Sequence, residues 1–340
     1  MNIILQLFDE NFVKDFFKKE VLPQYPDFTD IKKIAIQPHK KHIWEITYHV
    51  VIEFAVTFST KDKKTKKLAI FCSAHSSEPR KSFYDGLKFL WDHYFKNGHL
   101  TIPHPLFFSE KFNAAFYRGI KGNHLHHFIR QRDFEEAEKI IVKAAKWLNK
   151  LHRISTKNAK NFNPDNSRIE TVVPGVNFVL DKIRDRHPEF LEICEKIYGM
   201  LEKNEKQFLD STEKRWLIHG DAHPENVIKI SKNKLGFIDF TDLCLADFAR
   251  DLGSFLQQLD YMYSKQTENA EYIERVKQLF LTTYLKNAKI KLDGPLKDRI
   301  ETYYNFTMLR TAIFFLTKED SHPEKAQKLL ETIKDRLNIQ

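Results

Sequence analysis

The stretch WLIHGDAHPENVIKI, from Trp216 to Ile230, places two histidines, two acids and an asparagine between two apolar runs. Gly220 and Pro224 predict a tight loop at this point. The apolar run that ends at Asp239 predicts a second strand, joined to the first by a short turn. A hairpin of this kind would bring Asn226 and Asp239 near one another.

The side chains of this loop match the needs of phosphoryl transfer. Asp221, Asn226 and Asp239 carry hard oxygen ligands, which suit Mg²⁺ when the ion shares its other positions with substrate phosphates. Two of the three can hold the metal, and Asp221 would then be free to accept a proton from an attacking hydroxyl. Each feature alone is also typical of an ordinary turn or strand end, but their fixed order predicts a functional site.

The segments HGDAHPENVIKI and GFIDFTD resemble the catalytic and metal-binding segments of the aminoglycoside phosphotransferase and choline kinase group. Members of this group are small-molecule kinases with a protein-kinase-like fold. The resemblance implies that Asp221 is the catalytic base and that Asn226 and Asp239 bind Mg²⁺. It also places His219 in the catalytic set, where it braces the loop together with His223.

The stretch ADFARDLG similarly matches the segment that follows the metal-binding aspartate in this family. The resemblance implies that Asp247 and Asp251 are mainly structural. Asp251 is expected to order the catalytic loop.

The resemblance implies an α+β, two-lobed, protein-kinase-like fold, and the order of strand and helix patterns along the chain is compatible with it. The first third is rich in β-branched and aromatic residues, which predicts an antiparallel meander. Later segments are helical, and in the segment from 132 to 155 Asp133 is positioned to cap an amphipathic helix. We expect a nucleotide-binding lobe over 1–118 and a helical lobe over 119–340, the latter with the catalytic loop and the acceptor site.

The first lobe departs from the family pattern in its charged residues. The family places a lysine on the third strand and a glutamate on the next helix. In LAIFCSAH, Cys72 or Ser73 falls where that lysine is expected, and Asp85 is the counterpart of the glutamate.

Other residues of this lobe are therefore expected to bind the nucleotide. The glycine-free segment QPHKKH is the expected phosphate loop, and AAFYRGIKGNHL resembles the segment that links the two lobes and meets the adenine. The predicted nucleotide-binding residues are Lys40, Lys41, Lys67, Phe116, Tyr117 and Gly119.

Composition limits the other classes of protein. The cysteines Cys72, Cys194 and Cys244 are far apart, which indicates buried thiols in a reducing compartment. There is no leader sequence and no apolar run of eighteen residues, so we expect a cytoplasmic protein that is not associated with a membrane. The formal charge of +9 is scattered along the chain without a nucleic-acid-binding module, which favours a solvated surface over nucleic-acid binding.

One segment is acidic instead, because eight acids stand against three bases between Asp239 and Arg275. In the family that the chain resembles, this segment lies beside the acceptor cleft. Because a cleft lined by acids attracts cations, the resemblance implies an amine-bearing alcohol or amino sugar as the acceptor. Asp242 and Asp260 are the acids of this segment without another assigned role.

The sequence thus predicts a kinase that transfers the γ-phosphoryl group of ATP or GTP to a hydroxyl of a small molecule. One alternative is a nucleotide-binding pseudokinase, which the missing strand lysine favours. A second is a metal-dependent phosphoesterase, suggested by GDAH and by the segment from Asp185 to His187. That alternative lacks the further histidines that such a metal centre needs.

Overall fold

The chain folds into two compact units. The computed structural model describes residues 2–78, 80–157 and 159–339. The first unit contains residues 1–122 and 230–241, and the second contains residues 123–229 and 242–340. The sequence predicts a single boundary after residue 118. In the structure, residues 230–241 also belong to the first unit. The cause is a parallel pairing of Leu235–Phe237 with Leu100–Thr101.

The first unit is built on a five-stranded antiparallel sheet in the order β1-β2-β3-β6-β5. Its strands are β1 (Phe28–Ile43), β2 (Tyr48–Thr60), β3 (Thr65–His75), β5 (His104–Ser109) and β6 (Ala114–Arg118). The unit also contains the parallel pair β4 (Leu100–Thr101) and β10 (Leu235–Phe237), and the helices α1 (Glu10–Glu20) and α2 (Arg80–Leu90). A π-helical turn, Trp91–Phe95, continues α2.

Helix α1 covers one face of this sheet. Phe17 packs edge-on against Phe54 and Phe116, with ring centroids 5.1 and 6.0 Å apart. Cys72 lies in the same apolar cluster. Since successive side chains of a strand alternate between faces, Phe71 and Ser73 belong to the opposite face.

The predicted phosphate loop QPHKKH lies inside β1 rather than between strands. Pro38 pairs with Ile52 of β2, and the turn comes later, where the Trp44 N–H donates to the Thr47 carbonyl at 2.9 Å. The proline is tolerated because β1 is an edge strand and because the register shifts between Pro38 and Lys40.

The second unit is mainly helical. Its helices are α3 (Leu125–Arg130), α4 (Phe134–His152), α5 (Val176–Arg186), α6 (Leu191–Ser211), α7 (Ala249–Ser264), α8 (Ala270–Ala288), α9 (Gly294–Thr317) and α10 (Pro323–Leu337). Two antiparallel pairs join β7 (Asn123–His124) with β9 (Val227–Lys229), and β8 (Trp216–Ile218) with β11 (Cys244–Ala246). The N-terminal antiparallel sheet and the helical remainder confirm the predicted α+β class.

Helix α4 forms as its pattern predicts. The Asp133 carboxylate accepts a hydrogen bond from the Glu136 N–H at 3.2 Å, and the apolar stripe of the helix is buried. All three cysteines are buried free thiols, as expected. Within the described ranges, no helix has the length and apolar character needed to cross a membrane.

Helices α7 and α9 approach closely at Gly253. A Cβ at this position would lie 2.5 Å from the Ile300 carbonyl oxygen and 2.7 Å from the Tyr304 nitrogen. Both atoms belong to the backbone of α9, which cannot yield as a flexible side chain can. The glycine therefore sets the distance between the two helices.

We expect Gly253→Ala to lower the free energy of unfolding by about 3 kcal/mol, because the added methyl overpacks two helical backbones. Gly199→Ala in α6 is the matched control, since a Cβ there meets no atom within 4 Å. The control should raise the free energy of unfolding by about 0.5–1 kcal/mol. Urea unfolding of both variants measures the difference, and equal effects would contradict the packing argument.

Candidate active site

The loop between β8 and β9 carries the predicted catalytic residues, and its first turn requires a glycine. Gly220 has φ of +83°, which L-residues with a side chain rarely adopt. A Cβ at Gly220 would also lie 2.2 Å from the Asp242 carbonyl oxygen. The backbone conformation at Gly220 and the close approach of the Asp242 backbone thus both exclude any other residue.

Asp251 of α7 holds the loop by its backbone. Its fully buried carboxylate accepts hydrogen bonds from the N–H groups of His219, at 2.7 Å, and Gly220, at 2.9 Å. The Nε2 atom of His152 lies 2.9 Å from the same carboxylate and donates a third bond. Burial would raise the pKa of Asp251, but the bond and charge of His152 and the His219 N–H lower it below its ordinary value. Asp251 is therefore an ionised anchor for the catalytic loop.

Asp221 is the reactive candidate because its side chain remains 42% exposed on this anchored loop. The Nε2 atom of His223 lies 3.4 Å from the Asp221 carboxylate, and its Nδ1 accepts from the Glu225 N–H. That acceptor role places the ring proton on Nε2, facing Asp221. Burial would raise the pKa of Asp221, but His223 and the charge of Arg310 lower it well below its usual range. Asp221 is therefore a carboxylate at physiological pH.

The structure fixes the orientation of the Asn226 side chain. Its Nδ2 atom donates to the Asp221 carbonyl oxygen at 2.9 Å. Since a carbonyl only accepts, the amide nitrogen must face it, and the amide oxygen is left for a different partner. Across the described ranges, no group donates to that oxygen. The Asn226 oxygen thus fits a metal ligand.

Asp239 belongs to the first unit, where it follows β10. It has φ of +62°, which is unusual for a residue with a side chain, and such positions are common at functional sites. One carboxylate oxygen accepts from the Thr241 hydroxyl at 2.8 Å, and the side chain is exposed. An exposed carboxylate held by a single hydroxyl also fits a metal ligand.

His219 and Asp247 lie in the protein interior. His219 has no exposed surface, and its ring packs edge-on against Trp147. A ring without exposed surface cannot touch a substrate, so His219 acts by positioning the loop. Asp247 lies just before the start of α7. It accepts a hydrogen bond from the Ala249 N–H at 3.1 Å and forms an ion pair with Arg299 at 3.4 Å. Burial raises the pKa of Asp247, while Arg299 opposes that effect.

The predicted nucleotide-binding residues are spread over the first unit. One cavity of about 330 Å³ is lined by Lys67 and by the segment Arg118–Lys121, which contains Gly119. Lys41 lies over the Phe8 ring, 4.7 Å from its centroid. The side chain of Phe116 is in the apolar core.

Tyr117 stacks on Phe71 with ring centroids 5.9 Å apart, and burial raises its pKa above the usual range. Lys40 lies near enough to His49 and His75 for its charge to lower the pKa of both histidines, for which burial is the largest cause. The residues that line the 330 Å³ cavity do not include Tyr117 or Lys40.

Cys72 and Asp85, which stand where the family has the strand lysine and its glutamate, do not form the ion pair that those two residues would. Cys72 lies in the apolar core, and burial raises the pKa of its thiol above the usual range. Asp85 forms a surface ion pair with Lys81 at 2.8 Å, one helical turn away. Cys72 therefore supplies no positive charge for a phosphate, and Asp85 pairs with a lysine of its own helix rather than with a residue of β3.

Arg80, at the start of α2, is a functional candidate that the sequence analysis missed. It is only 4% exposed, and its Nη1 atom lies 3.4 Å from the hydroxyl of Thr241, which in turn donates to Asp239. Glu78 pairs with Arg80 at 2.8 Å, but among the residues that the structure describes the buried Nε of Arg80 has no hydrogen-bond partner. The signal in the sequence is the arginine of EPRKSF, five residues after the end of β3, rather than a lysine on the strand itself.

The two predicted acceptor-binding acids already have partners. Asp260 pairs with Lys277 at 3.2 Å and accepts a hydrogen bond from the Tyr304 hydroxyl. Asp242 accepts from the Asn166 amide at 2.5 Å. Their charges are engaged inside the second unit, so the cationic acceptor stays a prediction from the sequence without structural support.

An anchored loop with an exposed aspartate and an oriented asparagine, in a chain with an antiparallel sheet followed by helices, defines a kinase-like phosphotransferase. A family model described as the phosphotransferase enzyme family matches residues 65–287, and the chain belongs to that family. The protein is a phosphotransferase of the class that acts on hydroxyl groups of small molecules.

Solved structures share this fold. Amicoumacin kinase is 13% identical, with 95% of each chain covered and a TM-score of 0.57. The ethanolamine kinase of Plasmodium vivax is 13% identical over 88% of this chain and 81% of its own, with a TM-score of 0.55. The aminoglycoside phosphotransferase APH(2″)-IIa, solved with streptomycin and ATP, is 15% identical over 95% and 96% of the chains, with a TM-score of 0.54. No curated protein sequence matches.

We expect Asp251→Asn to lower the free energy of unfolding by about 3 kcal/mol, because an amide cannot accept from all three donors and leaves buried groups unpaired. The contribution of Asp251 should be present above pH 4 and lost as the pH falls, since its pKa is lowered in the folded state. Unfolding at pH 7 and at pH 3 measures both effects.

The control is Asp210→Asn, which removes an exposed ion pair with Lys206 and should change the free energy of unfolding by less than about 1 kcal/mol. If the two variants were equally stable at pH 7, Asp251 would not be the anchor of the loop.

Proposed function

We propose that this protein transfers the γ-phosphoryl group of ATP or GTP to a hydroxyl of a small molecule. The observation that carries the proposal is the exposed Asp221 on a loop whose backbone is held by the buried Asp251. Positioning and charge neutralisation supply most of the catalysis in this reaction class, and a rigidly held carboxylate serves the positioning of the acceptor hydroxyl.

In the proposed reaction the acceptor hydroxyl oxygen attacks the γ-phosphorus and a new P–O bond forms. The bond between the γ-phosphorus and the oxygen that bridges to the β-phosphate breaks, and the nucleoside diphosphate leaves. Asp221 accepts the hydroxyl proton. A carboxylate with a lowered pKa suits this step, because in a loose transition state the proton moves late and a strong base is not required.

Mg²⁺ would take the Asn226 side-chain oxygen and a carboxylate oxygen of Asp239 as protein ligands. Both atoms are free of competing donors apart from the Thr241 hydroxyl, within the part of the chain that the structure describes. The ion neutralises charge on the phosphates when it is bound.

Arg80 is the proposed phosphate-binding cation in place of the strand lysine. Its Nε has no hydrogen-bond partner within the described part of the chain, and the guanidinium is linked through the Thr241 hydroxyl to the Asp239 carboxylate. Lys40 adds a second positive charge near His49, whose pKa is lowered to about 4 by burial and then by Lys40 and Arg80. This group of cations favours the binding of a polyanion. Lys41 and Lys67 remain the predicted alternatives.

A pseudokinase is the second candidate function, and one observation favours it. The strand segment LAIFCSAH has no lysine or arginine, and the Cys72 side chain lies in the core. For a phosphoesterase, no group of three or more histidine, cysteine, aspartate or glutamate side chains that could hold a metal occurs among residues 2–78, 80–157 and 159–339.

We expect Asp221→Asn to lower kcat by roughly a hundred- to ten-thousand-fold while Mg·ATP affinity is unchanged, because only the proton acceptor is lost. Phosphorus NMR detects phosphorylated products from amino alcohols, aminoglycosides, sugars and hydroxy acids with ATP and GTP in parallel. Glu225→Gln, an exposed acid in the same loop that bonds His126, is the control and should keep its activity. Mg·ATP binding without any phosphorylated product would favour the pseudokinase.

We expect Arg80→Ala to weaken ATP binding by about ten- to a hundredfold, the loss of charge-assisted hydrogen bonds worth about 1.5–3 kcal/mol. Adenosine, which has no phosphates, should bind equally to both proteins in calorimetry. Arg80→Lys should recover part of the ATP affinity, which separates lost charge from lost folding.

Lys81→Ala is the control for Arg80, since its side chain forms a surface pair with Asp85. If ATP binding weakened in Lys40→Ala, Lys41→Ala or Lys67→Ala but not in Arg80→Ala, one of the predicted lysines would be the phosphate-binding cation instead.

A further inference from the structure

The second unit contains a cavity of about 250 Å³ between α5, α9 and the segment that precedes α5. Its walls are mostly apolar and aromatic. Val172, Pro174 and Phe178 line one side, and Phe306 and Phe314 of α9 line the other. A small concave site with this lining binds an apolar molecular body.

The rim of the cavity exposes large apolar side chains to solvent. Val173 and Phe178 are each 50% exposed, and Phe314 is 59% exposed. Three of the nine exposed large apolar residues of the described chain thus meet at this one cavity. Exposed apolar surface that is concentrated at a cavity indicates a binding site more strongly than scattered residues do.

The charged side chains of the cavity have one sign. Arg310 and Lys182 contribute to the lining, and no described acid does. Lys182 lies over the Phe178 ring, 4.7 Å from its centroid. Arg310 makes no hydrogen bond or ion pair with any residue in the described ranges. A partly buried guanidinium without an acid to balance it favours an anion from outside the chain.

The same arginine connects the cavity with the catalytic loop. The charge of Arg310 is close enough to lower the pKa of Asp221, after the effects of burial and of His223. The wall of the cavity is also tied to the loop. The Asn166 side chain accepts from the Val173 N–H at 3.1 Å, and Arg250 donates to the carbonyl oxygens of both Asn166 and Gly220.

We propose that this cavity binds the acceptor, and that the acceptor is an alcohol with an apolar, ring-sized body and a carboxylate held by Arg310. The inference rests on the proposed kinase function and names the substrate class of that site. One unpartnered guanidinium matches one negative charge, and its planar fork fits a carboxylate in a bidentate pair. The hydroxyl would be phosphorylated as described above, with its proton passing to Asp221.

Three probes of one shape test the charge preference: 4-(hydroxymethyl)benzoate, its amide and 4-(hydroxymethyl)benzylamine. Ligand-observed NMR measures their binding to the full chain without requiring turnover, so failure of this proposal is distinct from failure of the kinase assignment. We expect the benzoate to bind about ten- to a hundredfold more tightly than the amide, as a charge-assisted pair predicts. The amine should bind least.

Arg310→Gln should abolish the preference for the benzoate over the amide, and Arg310→Lys should keep part of it. Lys297→Gln, an exposed lysine on the same helix that does not line this cavity, is the matched control and should leave the preference unchanged. Phe178→Ala should weaken the benzoate and the amide equally, because it removes only apolar contact. Thermal unfolding shows whether each variant is folded.

Tighter binding of the amine, equal binding of the three probes, or binding of none would overturn the proposal. A benzoate preference that persists in a folded Arg310→Gln protein would overturn the assignment of Arg310. If Arg310 only positions Asp221, its variant lowers kcat for every acceptor by the same factor and leaves the relative affinities of the probes unchanged.

Discussion

The hydrogen bonds that Asp251 accepts from the catalytic loop are the constraint on which the proposed site depends. A carboxylate without exposed surface is stable only if its charge is matched, and here two backbone N–H groups and His152 supply that match. The consequence is a loop backbone fixed at His219 and Gly220, directly before Asp221. The reactive side chain can therefore stay exposed without losing its position.

A second buried network joins this loop to the wall of the apolar cavity. Arg250 is fully enclosed, and it donates to the Gly220 and Asn166 carbonyl oxygens. The Asn166 side chain in turn donates to Asp242 and accepts from Val173. Since each member satisfies another, the network holds the wall of the apolar cavity and the catalytic loop in one geometry. Asp242, one of the two acids predicted to bind the acceptor, is part of this network.

The sequence predicted the loop and the α4 helix because their chemistry is local. A glycine at a positive φ, an oxygen ligand at a turn and an apolar stripe are all set by residues close together in the chain. Arg80 could not be predicted, since it approaches Asp239 and Thr241 only when α2 and the end of β10 pack in the first unit. The charge count near Asp260 could not show the ion pair with Lys277 for the same reason, because that lysine belongs to a different helix.

The most direct test of the proposed chemistry is a crystal structure with Mg²⁺ and a non-hydrolysable ATP analogue. We predict Mg²⁺ bound to the side-chain oxygen of Asn226 and to the carboxylate of Asp239, with the Asn226 amide nitrogen still on the Asp221 carbonyl. We also predict that no protein side chain lies between the γ-phosphate and the Asp221 carboxylate. A nucleotide bound without metal at these two residues, or an Asn226 side chain turned away from Asp221, would contradict the assignment of this loop as the phosphoryl-transfer centre.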